Sequence, residues 1–241
     1  MVSKDSSEII VREIVLSPRF GVMGNRNEIV FRPFMDTPEP VCVPARLKKL
    51  KHPLFAWTRL RPIFAQHTSL EHDALQRNAS GCRCIVEIGV AEGASALALR
   101  EVIASEGTLY LIDPFHLSRF RWINAQRRAA KTAVSYCSTA KVNWIEQFSF
   151  DAIKGWSRPI DFLFIDGDHA EESVLRDWSE WNGFVRPGGR VAFHDARIFE
   201  NGWPTASDGP VKVVQSLFRD QKLPNWRIIA EVHSLVIVER I

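Results

Sequence analysis

The chain has 241 residues, of which 46% are hydrophobic and 24% charged, both close to the averages for globular proteins. This length suits one large domain, or one domain with an appendage, that buries a sizeable core. The net charge of +3 is too small to indicate a nucleic-acid partner, and the composition excludes membrane-spanning, disordered and disulfide-rich classes.

The sequence divides into an N-terminal extension over residues 1–80 and a larger domain over residues 81–241. The first ten residues contain no apolar stretch typical of a secretory signal, so we expect a soluble, cytoplasmic protein without a transmembrane segment. The four cysteines include no CxxC pair, which argues against a zinc ribbon or a thioredoxin-like site.

The N-terminal extension is rich in proline and lacks a long helical pattern. Residues 9–16 and 28–34 predict two short strands of a hairpin. Residues 46–61 contain six basic residues and no acidic one, which suits a solvated face or a surface for an acidic or membrane partner. Thr68 and Glu71 form a capping-box pattern, which predicts a helix that runs to about Asn78. The extension would either cover the ligand site or pair two subunits of a homodimer.

From residue 81 onward, strands and helices alternate. Strands are predicted at residues 84–89, 108–113, 142–146, 161–166 and 190–194, helices at 94–104, 119–135, 171–184 and 211–218, and a final strand pair at 226–232 and 235–239. Residues 187–189, Pro-Gly-Gly, predict a turn before the fifth strand. This alternation predicts a doubly wound, Rossmann-like α/β fold, with a mostly parallel seven-stranded sheet and an antiparallel C-terminal strand.

Distinctive polar residues stand where four of these strands end. Ligands of open α/β sheets bind outside the carboxyl ends of the strands. A charged group that ends an apolar strand is costly unless it is used or paired. One such residue would suit a helix cap, whereas four strand ends on one edge predict a site. The residues are Glu87 and Gly89, then Asp113, then Asp166, Asp168 and His169, and finally His194 and Asp195.

The loop after the first strand carries Gly89 and Gly93, which allow a tight turn and a close approach of a ligand to backbone amides. The dinucleotide fingerprint GxGxxG and the phosphate-binding GxxxxGK[ST] are both absent. Asp113 follows this loop by about 20–25 residues, a spacing that suits an acid binding the hydroxyls of a nucleoside. The pattern does not require a pyrophosphate.

In this order, the glycine loop, Asp113, the IDGDH run at residues 165–169 and the Pro-Gly-Gly run resemble class I S-adenosylmethionine-dependent methyltransferases. Within that class the chain is most similar to O-methyltransferases of sugars and macrolide-type natural products, several of which depend on magnesium. The resemblance implies S-adenosylmethionine as cofactor. It assigns cofactor contacts to Glu87, Gly89, Ala91, Gly93, Asp113 and Asp166, with Ser149 near the adenine.

The same resemblance implies a divalent cation, Mg²⁺ or Mn²⁺, held by Asp166, His194 and Asp195. His194 departs from the acidic pair of the related enzymes, so it would be a ligand that favours a softer metal, or would lie behind the ligands. An alternative leaves Asp166 and Asp195 as helix caps and His194 as a packed side chain.

His169 is the expected general base, because an imidazole titrates near neutral pH and the resembling enzymes place their base there. Asp168 is the alternative base. A hydroxyl group must lose its proton as it attacks the methyl group, and a cation that coordinates the hydroxyl would lower its pKa.

The expected acceptor is a hydroxyl group of a small molecule such as a sugar, a saccharide or another natural product, and no nucleic acid is expected as partner. Residues 198–209 would form a long loop over the acceptor, with Trp203 either stacked on a substrate ring or packed within the loop. Two other functions stay open. One is a non-haem iron oxygenase or hydrolase that uses His169, His194 and a carboxylate; the other is a non-catalytic adaptor that retains the fold.

Overall fold

A computed structural model describes residues 53–58, 63, 65–115 and 124–241. The predicted hairpin at residues 9–16 and 28–34, most of the basic segment 46–61 and the first residues of the helix predicted from 119 lie outside the described residues.

The core of the protein is one seven-stranded sheet in the order β3-β2-β1-β4-β5-β7-β6. The first five strands pair in parallel, and β7 is antiparallel to both β5 and β6. The predicted fold is therefore confirmed. The strands are β1 (Cys84–Ile88), β2 (Thr108–Ile112), β3 (Lys141–Ile145), β4 (Ile160–Ile165), β5 (Val185–Phe193), β6 (Trp226–Val232) and β7 (Leu235–Arg240).

Helices cover both faces of the sheet, since the central strands are apolar on both sides. The helices are α1 (Pro53–Trp57), α2 (Ser69–Ala79), α3 (Ala94–Val102), α4 (Ala125–Val134), α5 (Ser149–Ala152), α6 (Glu171–Trp181) and α7 (Gly209–Val214). Val86 of β1 belongs to the core under α6 and α7, whereas Ile85 belongs to the core under α2 and α3. None of the helices in the described part is long and apolar enough to cross a membrane.

The predicted capping box begins α2. The Thr68 hydroxyl accepts a hydrogen bond from the Glu71 amide at 3.3 Å, and the Glu71 carboxylate accepts one from the Thr68 amide at 2.7 Å. This reciprocal pair satisfies two amides that the first turn of a helix leaves without partners.

The Pro-Gly-Gly run lies inside β5 rather than before it. The pairing with β4 passes from Ile160–Val185 directly to Phe162–Arg190, so the residues between bulge out of the ladder. Gly188 has a φ of +74°, a left-handed conformation that glycine adopts without strain. The strand predicted at residues 190–194 was therefore too short, because it begins at Val185.

The helix boundaries also differ from the predicted ones. The helix predicted at residues 171–184 ends as a 3₁₀ turn over Asn182–Phe184, and the one predicted at 211–218 begins at Gly209 and continues as a π-helix over Gln215–Asp220. The short helices α1 and α5 were not predicted.

Candidate active site

The backbone places the predicted strand-end residues side by side at one edge of the sheet. The Gly89 amide donates to the Ile112 carbonyl, the Asp166 amide to Ile88 and the His194 amide to Ile165, at 2.8–3.2 Å. These hydrogen bonds continue the parallel ladder past the strands, so that the ends of β1, β2, β4 and β5 share one edge.

The glycine loop after β1 is built by close backbone packing. Gly89 has a φ of +88°, and a Cβ there would lie 2.1 Å from the backbone oxygen of Asp166. Gly93 has a φ of +86° and caps α3, and a Cβ there would lie 3.0 Å from the Cα of Ala130. Ala91 has a φ of +47°, a conformation that is uncommon for residues other than glycine.

Asp113 holds this loop in shape. Its Oδ2 accepts from the amides of Val90 and Ala91 at 2.9 and 3.2 Å, and its Oδ1 accepts from the Phe115 amide at 2.7 Å. A carboxylate has about four accepting positions. Asp113 therefore retains capacity for a ligand hydroxyl while it ties the end of β2 to the loop after β1.

Glu87 is fully buried beneath the loop. The Ser95 hydroxyl donates to its Oε1, while its Oε2 has no hydrogen-bond partner within the described ranges. Burial raises the pKa of Glu87 well above its usual value, an effect that Ser95 opposes. A positive charge placed near this carboxyl group would lower its pKa.

His169 lies between two carboxylates at the ends of β4 and β5. Its Nε2 is 3.8 Å from Asp166 Oδ1, its Nδ1 is 3.7 Å from Asp195 Oδ2, and its side chain is 45% exposed. Its contact with Asp166 raises the pKa of His169, against an opposing effect of burial. The imidazole is thus reachable from solvent and held by acids on both sides.

His194 is buried deeper at the same edge. Its Nδ1 lies 3.1 Å from Asp166 Oδ1 and 3.4 Å from Asp195 Oδ1. Burial acts to lower the pKa of His194, but the charge of Asp166 and contacts with other carboxylates raise it well above the usual value. Burial likewise acts to raise the pKa of Asp166, yet His194 and His169 lower it to about 2.

Sequence reasoning missed Glu71 as a member of this site. Its side chain is fully buried, and its Oε2 lies 3.8 Å from His194 Nε2. Burial acts to raise the pKa of Glu71, but His194 and Ser234 lower it to about 2. The capping-box pattern accounted for this residue locally, and no pattern in the sequence indicates its position beside β5.

Asp168 and Ser149 make local contacts. Asp168 accepts from the Ala170 amide at 3.2 Å and from the Ser173 hydroxyl at 2.7 Å, so both of its oxygens are engaged at the start of α6. The Ser149 hydroxyl donates to Asp177, a buried carboxyl group on α6. Burial raises the pKa of Asp177 to about 6.

Trp203 packs within its own loop and against the site. Its Nε1 donates to Asp195 Oδ1 at 2.5 Å, and its ring meets Phe199 edge-on at a centroid distance of 5.4 Å. Of the two roles expected for Trp203, the structure shows packing within the loop.

Over the ranges described above, no group of three or more His, Cys, Asp or Glu residues has the arrangement of a metal site. The expected ligands are nevertheless neighbours, and two carboxylates with one imidazole are a donor set that suits Mn²⁺ and is acceptable to Mg²⁺. The set fits a cation only while His194 Nδ1 carries no proton. Metal dependence therefore stays a prediction.

Comparison with known proteins finds a match for the central part of the chain. Residues 86–196 match a family described as a methyltransferase domain. The chain is also 30% identical over 116 residues to an uncharacterised protein of Acanthamoeba polyphaga mimivirus. That alignment covers 46% of this chain and 50% of the viral protein, so it spans half the length of this relative.

Solved structures share the fold. The O-methyltransferase TomG from Streptomyces achromogenes, involved in tomaymycin synthesis and solved with S-adenosylmethionine, superimposes with a TM-score of 0.54 at 16% identity, over 81% of this chain and 89% of TomG. An rRNA methylase from Streptococcus thermophilus superimposes with a TM-score of 0.50 at 13% identity, over 74% of this chain and 99% of that one. The family match supports the methyltransferase part of the resemblance stated above, and these structures share the fold that it implies.

Proposed function

We propose that this chain, whose residues 86–196 match a methyltransferase domain, transfers the methyl group of S-adenosylmethionine to a hydroxyl group of a small molecule. The observation that carries the proposal is the position of His169, whose imidazole lies 3.8 and 3.7 Å from Asp166 and Asp195. The glycine loop lies on the same edge, so a methyl donor bound there would be next to a base.

The cofactor would bind along the ends of β1 and β2. The cofactor would lie against the loop that the close backbone packing at Gly89 and Gly93 shapes, and Asp113 would accept hydrogen bonds from the ribose hydroxyls. The buried Oε2 of Glu87, without a partner among the described atoms, would face the positive charges of the methionine part. A role for Ser149 near the adenine requires its hydroxyl to leave Asp177, or requires contact through its backbone.

His169 would act as the general base. The acceptor oxygen forms a bond to the methyl carbon while the carbon–sulfur bond breaks, and the electron pair of that bond stays on sulfur in S-adenosylhomocysteine. The hydroxyl proton passes to a ring nitrogen of His169, which must be neutral when it accepts the proton. Because the displacement is in line, positioning of the two reactants would supply much of the acceleration.

The contacts of the alternative base support this assignment. Both oxygens of Asp168 accept hydrogen bonds at the start of α6, and these contacts lower its pKa. A carboxylate so engaged is a weaker base than a half-exposed imidazole whose pKa is raised. We therefore assign to Asp168 the contacts at the start of α6, and to His169 the acceptance of the proton.

A divalent cation is a separate part of the proposal. Asp166, His194 and Asp195 would hold it, and when bound it would lower the pKa of a coordinated acceptor hydroxyl. The role of His169 does not depend on this cation.

The charge of the edge supports a small acceptor. Asp166 and Asp195 flank His169, and the exposed Asp168 adds a carboxylate at the start of α6. Such an edge repels the phosphates of RNA, whose binding depends on basic side chains. The packing of Trp203 on Asp195 would further narrow the approach.

The test supplies S-adenosylmethionine labelled on its methyl group, with three kinds of acceptor in parallel: simple glycosides and phenols, the matching amino analogues, and total ribosomal RNA. The proposal expects label only in the hydroxyl compounds, and a strong loss of that label with His169→Gln. Label in RNA, or equal labelling of the amino analogues, would contradict it.

A further inference from the structure

Glu71 is a fully buried carboxylate that the chemistry assigned so far does not use. It lies on α2, outside the residues that match the methyltransferase family. A buried charge is costly unless it is paired, so its neighbours indicate its role.

Hydrogen bonds to both oxygens fix the Glu71 side chain. Its Oε1 accepts from the amide and the hydroxyl of Ser234 at 2.8 and 2.6 Å, and its Oε2 accepts from the Thr68 amide at 2.7 Å. Two backbone amides thus point at different oxygens, which a carboxylate satisfies and a carboxamide cannot. The group is locked between α2 and the turn that joins β6 to β7.

The Nε2 of His194 faces the Glu71 carboxylate. The ring is 1% exposed, and its Nε2 has no hydrogen-bond partner within the described part of the chain. Glu71 Oε2 lies 3.8 Å from that nitrogen, while Nδ1 on the opposite side of the ring is 3.1 Å from Asp166. The imidazole is therefore bracketed by a carboxylate on each side.

We propose that Glu71 is a positioning residue for methyl transfer: its fixed carboxylate holds the His194 ring so that Nδ1 faces Asp166 and Asp195. The inference rests on the proposed function of this edge. It makes the N-terminal helix α2 part of the machinery, although that helix precedes the matched domain. Outer partners that orient a metal-ligating imidazole, the role expected for His194, typically contribute about 10–100-fold to metal affinity or activity.

The test compares Glu71→Gln with Thr68→Ala and Ser234→Ala. The two controls remove hydroxyl groups that bond to Glu71 or to its amide, so they weaken the cap and the turn but keep the carboxylate. Three properties are measured for each protein: thermal unfolding, the ¹⁵N signals of the His194 ring assigned with His194→Gln, and kcat and KM. If Glu71→Gln does not fold, it is replaced by Glu71→Asp, whose shorter side chain keeps the charge but moves it away from His194.

We expect Glu71→Gln to move the His194 ring signals and to lower kcat by about 10–100-fold, with KM for S-adenosylmethionine nearly unchanged. The controls should lower the unfolding temperature and leave the ring signals in place. Unchanged ring signals in Glu71→Gln, or equal shifts in Thr68→Ala, would overturn the proposal. Failure of the wild-type protein to bind S-adenosylmethionine would refute the proposed function instead, and the ring signals would still report on Glu71.

Discussion

The candidate site lies along the ends of β1, β2, β4 and β5, and its two halves differ in how they are built. At the ends of β1 and β2, the half assigned to the cofactor is made of backbone: Gly89 packs on a carbonyl group, and Asp113 binds three amides. At the ends of β4 and β5, the half assigned to the transfer is made of side chains, with His169 and His194 among carboxylates. The cofactor half is therefore sensitive to added volume, and the transfer half to a change of charge.

Burial also has opposite outcomes in the two halves. Glu87 and Glu71 are both fully buried, yet the pKa of Glu87 is raised well above its usual value and that of Glu71 is lowered to about 2. The difference is a positive neighbour: His194 faces Glu71, whereas the partners of Glu87 are a hydroxyl group and further acids. Glu87 has no positively charged neighbour among these partners, and a cationic ligand would supply one.

The largest effect is expected for Gly89→Ala, which tests the backbone-built half. The new Cβ would lie 2.1 Å from the Asp166 carbonyl oxygen, so the loop must shift and binding of S-adenosylmethionine should be lost. Calorimetric titration measures the binding. Gly81→Ala is the matched control, because Gly81 also has a positive φ, +72°, but has nothing within 4 Å of the added Cβ. Equal binding by wild type and Gly89→Ala would contradict the account of this loop.

His169→Gln tests the side-chain-built half. We expect kcat to fall by about 10²–10⁴-fold, because the base is lost, with the affinity for S-adenosylmethionine nearly unchanged. Asp168→Asn is the control, since it weakens the contacts with Ala170 and Ser173 at the start of α6 and should affect kcat far less. Steady-state kinetics measures both variants. A large loss of kcat in Asp168→Asn with a small loss in His169→Gln would show that Asp168, not His169, is the base.

Glu87 links cofactor binding to proton release. Burial raises the pKa of Glu87, and the positive charges of the ligand would lower it, so cofactor binding should release protons. Titration in two buffers with different enthalpies of protonation measures this number. Glu87→Gln should release fewer protons than wild type, and an identical release in both proteins would refute the assignment.

The smallest effect concerns Asp177 of α6, whose carboxyl group accepts a hydrogen bond from the Ser149 hydroxyl. Because burial raises its pKa to about 6, the folded protein keeps a proton that the unfolded chain loses at lower pH. Its contribution to stability therefore falls as the pH rises from about 4 to 6 and stays low above that range. Asp177→Asn should be more stable than wild type at pH 7.5, by about 1–3 kcal/mol, and no more stable near pH 4.

Unfolding in urea at both pH values measures this difference. Asp168→Asn is again the control with the opposite sign, because contacts with Ser173 and Ala170 lower the pKa of Asp168 and its charge stabilises the folded state. A loss of stability in Asp177→Asn at pH 7.5 would contradict the prediction.

Much of the fold follows from local patterns in the sequence. The apolar run DFLFID predicts β4 because hydrophobic residues on both faces end at a charged one, and the same reasoning places Asp166 at the edge. The residues of the Pro-Gly-Gly run favour a turn, which is why the sequence predicts one there. In the structure Val185 and Arg190, on either side of the run, both pair with β4, and Arg190 also pairs with β7, so the run is a bulge within β5.

The site was predictable where chain order determines position. Residues after parallel strands must meet at one edge, which brings His169 and His194 together from positions 25 apart. Glu71 could not be placed in this way, because its contact with Ser234 joins residues 163 positions apart. The contacts of Ser149 and Asp168 depend likewise on side-chain directions that a linear pattern does not show.

The most direct test of the account is a calorimetric titration of S-adenosylmethionine into metal-stripped protein, compared with Asp113→Ala and repeated with Mg²⁺ or Mn²⁺. We predict binding by the wild-type protein that is lost in the variant, since Asp113 both shapes the loop and accepts the ribose hydroxyls. Absence of binding by the wild-type protein in every metal state would contradict the assignment of this edge to S-adenosylmethionine.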